Sequence, residues 1–510
     1  MLSATSRGNF FQLFLCLLAF SPGTLSQGIY QPINSIDSLG GTKSEHAFRL
    51  TPDPINGTYK YLAGVFQSPI LFFPSPSTVA PVTALQNVTT PDAEGALLLK
   101  IRHSDNAVIW ALAMGGDTGE NRGFDVAVSL DGAAVYVVGE FTSTHFQLGS
   151  YTFQREGISD GYVAKVDAGN GTVLWARTFG GIEADSIKSV VVEPTSGDII
   201  VGGDFYSPVA AFNNDSHMPD VGARTLTRVG LSDIWVARLG CEDGIVQWVG
   251  QLAGPRSQVM GMNTTYGQFP HAFEAPGHSL AVDEANNLYV TGAINSSRLT
   301  YNPGQPGSNS FWRERPRLQG DGVVLKLACD TGVFGWGTVF GELSGNNFGY
   351  TVAVAPNNGS SDVFVGGALS GTPIVLDTSV RVYLDENNTI FEDSFAFVAR
   401  FAVADGSLRW VKALGFSPGD RVLSLAVETS RNVVHAAGFV TQSALPFGQQ
   451  YGGMASDATT GDGFLWTLQP DDGEVIGGRV LAGEGQEVIH SPPQAFPLLY
   501  RHRSLPSSLQ

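Results

Sequence analysis

One pattern recurs six times along the chain, and no other feature restricts the fold as much. Its clearest copy follows Gly115-Gly116: FDVAVSLDGAAVYVVGEF (Phe124–Phe141), a loop, then DGYVAKVDAGNGTVLWARTFGG (Asp160–Gly181). Each half holds two alternating apolar runs around a short turn of Gly, Asn or Asp, which predicts a β-hairpin. First-half hairpins also begin at Ala47, Ser189, Ser279, Thr351 and Ser424, and second-half hairpins at Ala96, Asp233, Asp321, Phe397 and Asp462. Six four-stranded units of roughly 60–90 residues predict an all-β fold, a β-propeller of about six blades. Radial stacking buries both faces of each sheet and leaves only short edges. A closed ring is expected over a linear stack, since neither end shows a polar capping repeat. The segment Gln31–Gly41, ending in SLGG, or the tail after Glu484 is available to complete a last blade or build a seventh.

Composition agrees. Of 510 residues 62 are Gly, 43% are hydrophobic and 15% charged, which suits a large β-rich core with many tight turns. The net charge of −18 excludes nucleic acid as the main partner, because phosphate contacts need clustered Lys and Arg.

At the N-terminus Arg7 precedes an apolar run, Phe10–Phe20, broken by Pro22-Gly23 and followed by Thr24-Leu25-Ser26. That order reads as a secretory leader over residues 1–26, and the run is shorter than the ~20 residues of a membrane span. Eight Asn-x-Ser/Thr sequons follow, at Asn56, Asn87, Asn170, Asn214, Asn263, Asn295, Asn358 and Asn387. Together they predict a secreted, glycosylated extracellular protein, with a propeller over 27–484 and a tail over 485–510 that is partly disordered or closes the ring. The mature chain keeps only Cys241 and Cys329, so packing rather than a disulfide framework must hold the fold. Both cysteines fall at third-to-fourth-strand turns of adjacent units. Equivalent positions there lie about 15 Å from the axis and about as far from each other, well beyond the ~7 Å a disulfide allows. Two free thiols are expected.

The string DGYVAKVDAGNGTVLWARTFGG with the preceding VYVVGEF resembles the repeat of secreted and cell-surface proteins often called the seven-bladed propeller repeat. The likeness covers most of Ala47–Gly483 and is close only in the Gly115–Gly181 copy. It implies a propeller and no defined chemistry.

Two columns of residues recur within the unit. Trp110, Trp175, Trp248, Trp336 and Trp410 share one place on the fourth strand, where the sixth unit has Gly477. Filling the space between neighbouring blades is the expected role, with sugar platforms as the alternative. Asp160, Asp233, Asp321 and Asp462 open the third strand, with Asp393 slightly displaced in its unit. They are expected to accept backbone N–H groups at a loop-to-strand junction. Calcium is the alternative, although the spacing of an EF-hand loop is lacking, and no cofactor is predicted.

In an up-and-down blade the turns between strands one and two, and three and four, share one rim. The other rim carries the insertions: residues 67–93, 207–230, 255–276, 295–320 and 370–392. Long loops on a rigid scaffold are the usual place for binding, so this rim is the expected contact surface for an extracellular protein or a carbohydrate. Within it Trp312, Arg313, Arg315 and Arg317 form a basic, aromatic cluster suited to an anionic group. The groupings of His217 with Asp215 and Asp220, and of His271 near Tyr266, lack metal-ligand spacing.

No G-x-S-x-G, H-E-x-x-H or P-loop motif occurs, and no catalytic residue is assigned. Two readings stand: a non-catalytic binding or adhesion module, and an extracellular enzyme on a propeller. The enzyme would be a quinoprotein-like oxidoreductase, since DAGNGTVLW resembles the repeat of those propellers, or a glycan hydrolase or lyase. Buried carboxylates, His or Arg converging in the central funnel would favour catalysis.

Overall fold

Alternating Val, Phe, Tyr and Ala cannot bury both faces of an isolated hairpin, so each unit must pack against its neighbours. The computed structural model shows how. It describes residues 14–17 and 45–502, the latter with interruptions at 69, 72–81, 84–93, 117–118, 213–223, 261–276, 297, 306–307, 313–319, 342–346, 356–361, 371–373, 378–379, 383–393, 415–419, 441–461, 482–485 and 492–497. Among the described residues there is no helix, and the chain is an all-β propeller.

Blade 1 is built from Glu45–Pro52, Tyr59–Phe66, Gly95–Arg102 and Val108–Gly116. Blade 2 comprises Asn121–Val128, Ala134–Phe141, Asp160–Asp167 and Val173–Gly180. Blade 3 comprises Ser189–Val192, Ile199–Phe205, Asp233–Leu239 and Val246–Ala253. In blade 4 the first strand is split into Gln258–Met260 and Leu280–Val282, both paired with Asn287–Ile294, and Asp321–Ala328 and Phe334–Phe340 follow. Blade 5 runs Phe348–Val354, Asp362–Ser370, Ser394–Ala402 and Leu408–Ala413; blade 6 runs Arg421–Glu428, Val433–Val440, Asp462–Leu468 and Val475–Leu481. Every pairing is antiparallel and sequential, and the first strands line the axis.

A seventh sheet lies between blades 6 and 1. Gln486–Ser491 pairs with Leu498–His502, which pairs in turn with Phe14–Leu17. The last of these belongs to the apolar run read as a leader, so a chain cleaved after residue 26 closes its ring with the C-terminal hairpin alone.

The cores sit between blades rather than within them. Tyr61, Leu98 and Trp110 of blade 1 share one cluster with Val137, Tyr162 and Val166 of blade 2. Clusters of the same kind join blades 2 and 3, 3 and 4, 4 and 5, and 5 and 6.

The long connections need a correction. They were expected to stand on one rim as free loops, yet two of them, 207–230 and 295–320, carry hairpins that fold back onto the outer edge of the preceding blade, as does the shorter connection after Phe141. His145–Leu148 and Tyr151–Gln154 extend blade 1, Val209–Phe212 and Arg224–Thr227 extend blade 2, and Arg298–Tyr301 and Asn309–Trp312 extend blade 3. An exposed fourth strand is a liability, and pairing covers it.

Candidate functional site: a polar floor in the axial pocket

The second strand of every blade carries a glycine at one level: Gly64, Gly139, Gly203, Gly292, Gly367 and Gly438. A Cβ at Gly139 would lie 1.8 Å from the Arg122 carbonyl oxygen, and one at Gly367 would lie 1.9 Å from that of Phe348. The space is taken by a bulge in the first strand. Register slips by one residue between Ala47 and Arg49, Gly123 and Asp125, Gly349 and Thr351, and Val422 and Ser424. A bulge re-aims the side chain that follows it. In blade 4 the two pieces of the first strand end at Met260 and resume at Leu280, and His278 precedes Ser279, whose carbonyl accepts the Thr291 N–H.

These bulges bring residues of five blades together. Asp125, from blade 2, is buried at 2% exposure. Its Oδ2 accepts from His278 Nδ1 at 2.9 Å, Ser189 Oγ at 2.9 Å and the Val190 N–H at 3.0 Å. Its Oδ1 accepts from the Val126 N–H at 2.8 Å and pairs with Arg49 Nε at 3.4 Å. Arg49 Nη1 in turn donates to Ser424 Oγ of blade 6 at 3.3 Å.

Above this floor lies a cavity of about 390 Å3, lined by the first strands of all six blades. Most of its lining residues are aliphatic, among them Val128, Val192, Val354 and Val427, and Arg49, Thr51, Lys60 and His278 supply the polar side chains. The lining runs from the bulge level to Pro52 and Leu130, so the mouth opens on the short-turn rim, opposite the expected contact surface. Such a size and mixture are typical of small-molecule sites. Beyond the floor, toward the long-loop rim, the interior is charged: Lys188 pairs with Asp204 at 2.5 Å, and Arg122 with Glu94 at 3.1 Å and Glu140 at 3.3 Å.

Electrostatics fix the protonation states. Burial and the Arg49 charge lower the His278 pKa, so its imidazole is neutral at pH 7. Burial alone would raise Asp125, but His278, Arg49 and the Val190 N–H outweigh it and hold the carboxyl below its usual range. The carboxylate therefore receives the proton of Nδ1, and Nε2 carries the lone pair. Nε2 makes no hydrogen bond to the described residues.

The tryptophan column forms a second ring farther out. Each indole donates to a carbonyl in the third-to-fourth-strand turn of the next blade: Trp110 to Ala168 (3.1 Å), Trp175 to Cys241 (3.1 Å), Trp248 to Cys329 (3.0 Å), Trp336 to Val403 (2.9 Å) and Trp410 to Pro470 (2.8 Å). Its face covers a left-handed glycine of the same turn, among them Gly171, Gly244 and Gly332. Lys100, Lys326 and Arg400, cross-strand from Trp110, Trp336 and Trp410, donate to the same carbonyls as those indoles. Cys241 and Cys329 are free.

At the third-strand junction, Asp160 accepts the Glu156 N–H at 2.7 Å and Asp233 the Val229 N–H at 2.7 Å. Asp233 and Asp321 also meet an amide of the following blade, Gln258 and Asn347. The equivalent neighbour of Asp160 is Asp185. Burial, with Asp185 adding to it, pushes Asp160 up to about 7, and burial raises Asp185 to about 6. The side chain of Asp462 lies outside the described residues, as does Asp393. Among the described residues no group of three or more His, Cys, Asp or Glu is placed to hold a metal ion.

Of the basic cluster, Trp312 ends the outermost strand added to blade 3, while Arg313, Arg315 and Arg317 lie outside the described residues. The same holds for Asn87, Asn214, Asn263, Asn358 and Asn387, and for His217 and His271. Asn56 and Asn170 are exposed in turns of the short-turn rim, and Asn295 is half-buried. Sequence reading did not single out Arg49, Asp125 or His278. The signal was the glycine ending each second apolar run, which marks a bulge and not a turn.

No protein-family model matches the chain, and no curated protein is similar to it. Among solved structures, it is similar to quinohemoprotein alcohol dehydrogenase from Comamonas testosteroni (10% identity, 87% of this chain and 74% of that one, TM-score 0.31). It is also similar to the Dos1 propeller (8%, 84% and 91%, TM-score 0.33) and to the Pan2 WD40 domain from Neurospora crassa (8%, 76% and 90%, TM-score 0.28).

Proposed function

We propose that the chain is a secreted, glycosylated propeller that binds a small organic molecule in its axial pocket. One observation carries this reading: Arg49, Asp125 and His278, from three blades, meet on the floor of a cavity lined mostly by aliphatic residues. Buried charges are costly unless they are paired, and here the pairing leaves Nε2 of a pocket-lining histidine without a partner among the described residues. The binding class expected from the sequence is kept, and its location changes from the long-loop rim to the axis. An adhesion role at that rim retains the exposed Ile158, Ile182, Val229 and Leu231, while the hairpins that suggested it serve as edge strands. Secretion, membership of the secreted repeat family and an extracellular setting rest on the leader, the repeat text and the sequons.

The Asp125–His278 pair also favours a second reading, in which Nε2 accepts a proton from a bound substrate as a general base. The two-carboxylate chemistry of glycan hydrolysis gains no support at the floor, where the single carboxylate of Asp125 already has five partners. The test is capture of small molecules by the purified protein, read by native mass spectrometry. A variant filling the pocket, Ala281→Phe, should lose the species the wild type binds. Identical capture by both would remove the axial pocket as the site.

A further inference from the structure

The floor also restricts what the pocket accepts. Arg49 and Asp125 balance each other in charge, and His278 adds none. Lys60 lines the wall, but its ammonium bonds Asn106 at 2.6 Å, a residue outside the lining. Five donors already surround the Asp125 carboxylate, which leaves no acceptor for a cationic ligand. An anion would meet the Nε2 lone pair and a guanidinium whose charge Asp125 already balances, so its lost hydration is not repaid by a free positive charge. What remains unsatisfied is one acceptor, Nε2, beside a guanidinium with N–H groups to spare.

We infer that the ligand is uncharged, with an aliphatic body along the valine walls and one terminal hydroxyl or amide that donates to His278 Nε2 and accepts from Arg49. This rests on the proposal that the axial pocket binds a ligand, and it adds the chemical class. The cavity of about 390 Å3 lies toward the lower end of the ~300–1,000 Å3 typical of such sites, so a molecule of modest length is expected.

The test uses three probes of one length at pH 7: 1-octanol, octanoate and octylamine. Binding to the full-length protein is measured by calorimetry, and the imidazole 15N resonances of His278 are followed in parallel. 1-Octanol should bind at least about tenfold tighter than either ion, the fold expected for one satisfied hydrogen bond, and should shift Nε2 while leaving Nδ1 bonded to Asp125. His278→Phe should weaken 1-octanol about tenfold, by the same single bond. Should that variant fail to fold, the wild-type Nε2 shift decides the matter. Tighter binding of octanoate with proton uptake, or of octylamine, would overturn this inference and leave the pocket as a binding site. If no probe binds and none moves the His278 resonances, the inference and the proposed function fall together.

Discussion

The outer and inner rings of this propeller are built from the same repeat and have diverged differently. Outside, one solution is used five times: an indole on the fourth strand, a carbonyl in the next blade's turn and a left-handed glycine beneath the ring. Inside, the residue after the bulge level carries a hydroxyl in four blades, Ser189, Ser279, Thr351 and Ser424, and is charged in the other two, Arg49 and Asp125. A contact that serves one blade boundary recurs at five of them. A site needed once has no reason to repeat, so buried polar residues that vary within a repeat mark it. Packing serves the outer ring, and the pairing of unlike groups serves the inner one.

The largest effect expected is on the outer ring. Trp175→Ala removes a buried indole between blades 2 and 3 and should cost about 4 kcal/mol, measured by denaturant unfolding. A loss below about 1 kcal/mol would mean that the clamp is ornamental. Next comes Asp125→Ala, which leaves the Arg49 charge buried without its partner and should cost about 3 kcal/mol. If it costs no more than an exposed Asp such as Asp131, the inner ring is not a paired site.

A smaller effect separates one boundary from its equivalents. Asp160 faces Asp185 where Asp233 and Asp321 face amides. Because the folded-state pKa values of Asp160 (about 7) and Asp185 (about 6) are raised, the folded protein holds these protons more tightly than the unfolded chain. Stability from this boundary is therefore full at low pH and falls as pH rises to about 7. Asp160→Asn should flatten that fall and raise Tm more at pH 8 than at pH 5; equal shifts at both would show that the two carboxyls are ordinary. The smallest effect concerns blade 6, whose fourth strand has Gly477 where the other five carry an indole. Gly477 has open space around a would-be Cβ, so Gly477→Ala should stabilise by about 0.5 kcal/mol, seen as a small rise in Tm.

Much of this was legible in the sequence, for a physical reason. Strand alternation, turn glycines and the Trp column are local and repeated, so six copies reinforce one reading, and the four-stranded antiparallel units follow from them. The added edge strands were not legible, since HFQL and VAAF are four residues long and read as loop until a neighbouring blade supplies their partner. The inner site was hidden for a different reason. Asp125 and His278 are 153 residues apart and lie in blades 2 and 4, so only ring closure joins them. Asp125 sits inside the clearest copy of the repeat, in FDVAV, where it reads as the polar position of an alternating strand.

The account stands or falls on that contact across the axis. A double-mutant cycle with Asp125→Asn and His278→Gln, read by unfolding free energy, measures it most directly. Residues in one hydrogen-bonded network couple by about 0.5–3 kcal/mol, whereas distant ones add. The geometry predicts coupling of at least about 1 kcal/mol, in the middle of that range. Strict additivity would mean that the two side chains do not meet, and that the pocket floor described above does not exist.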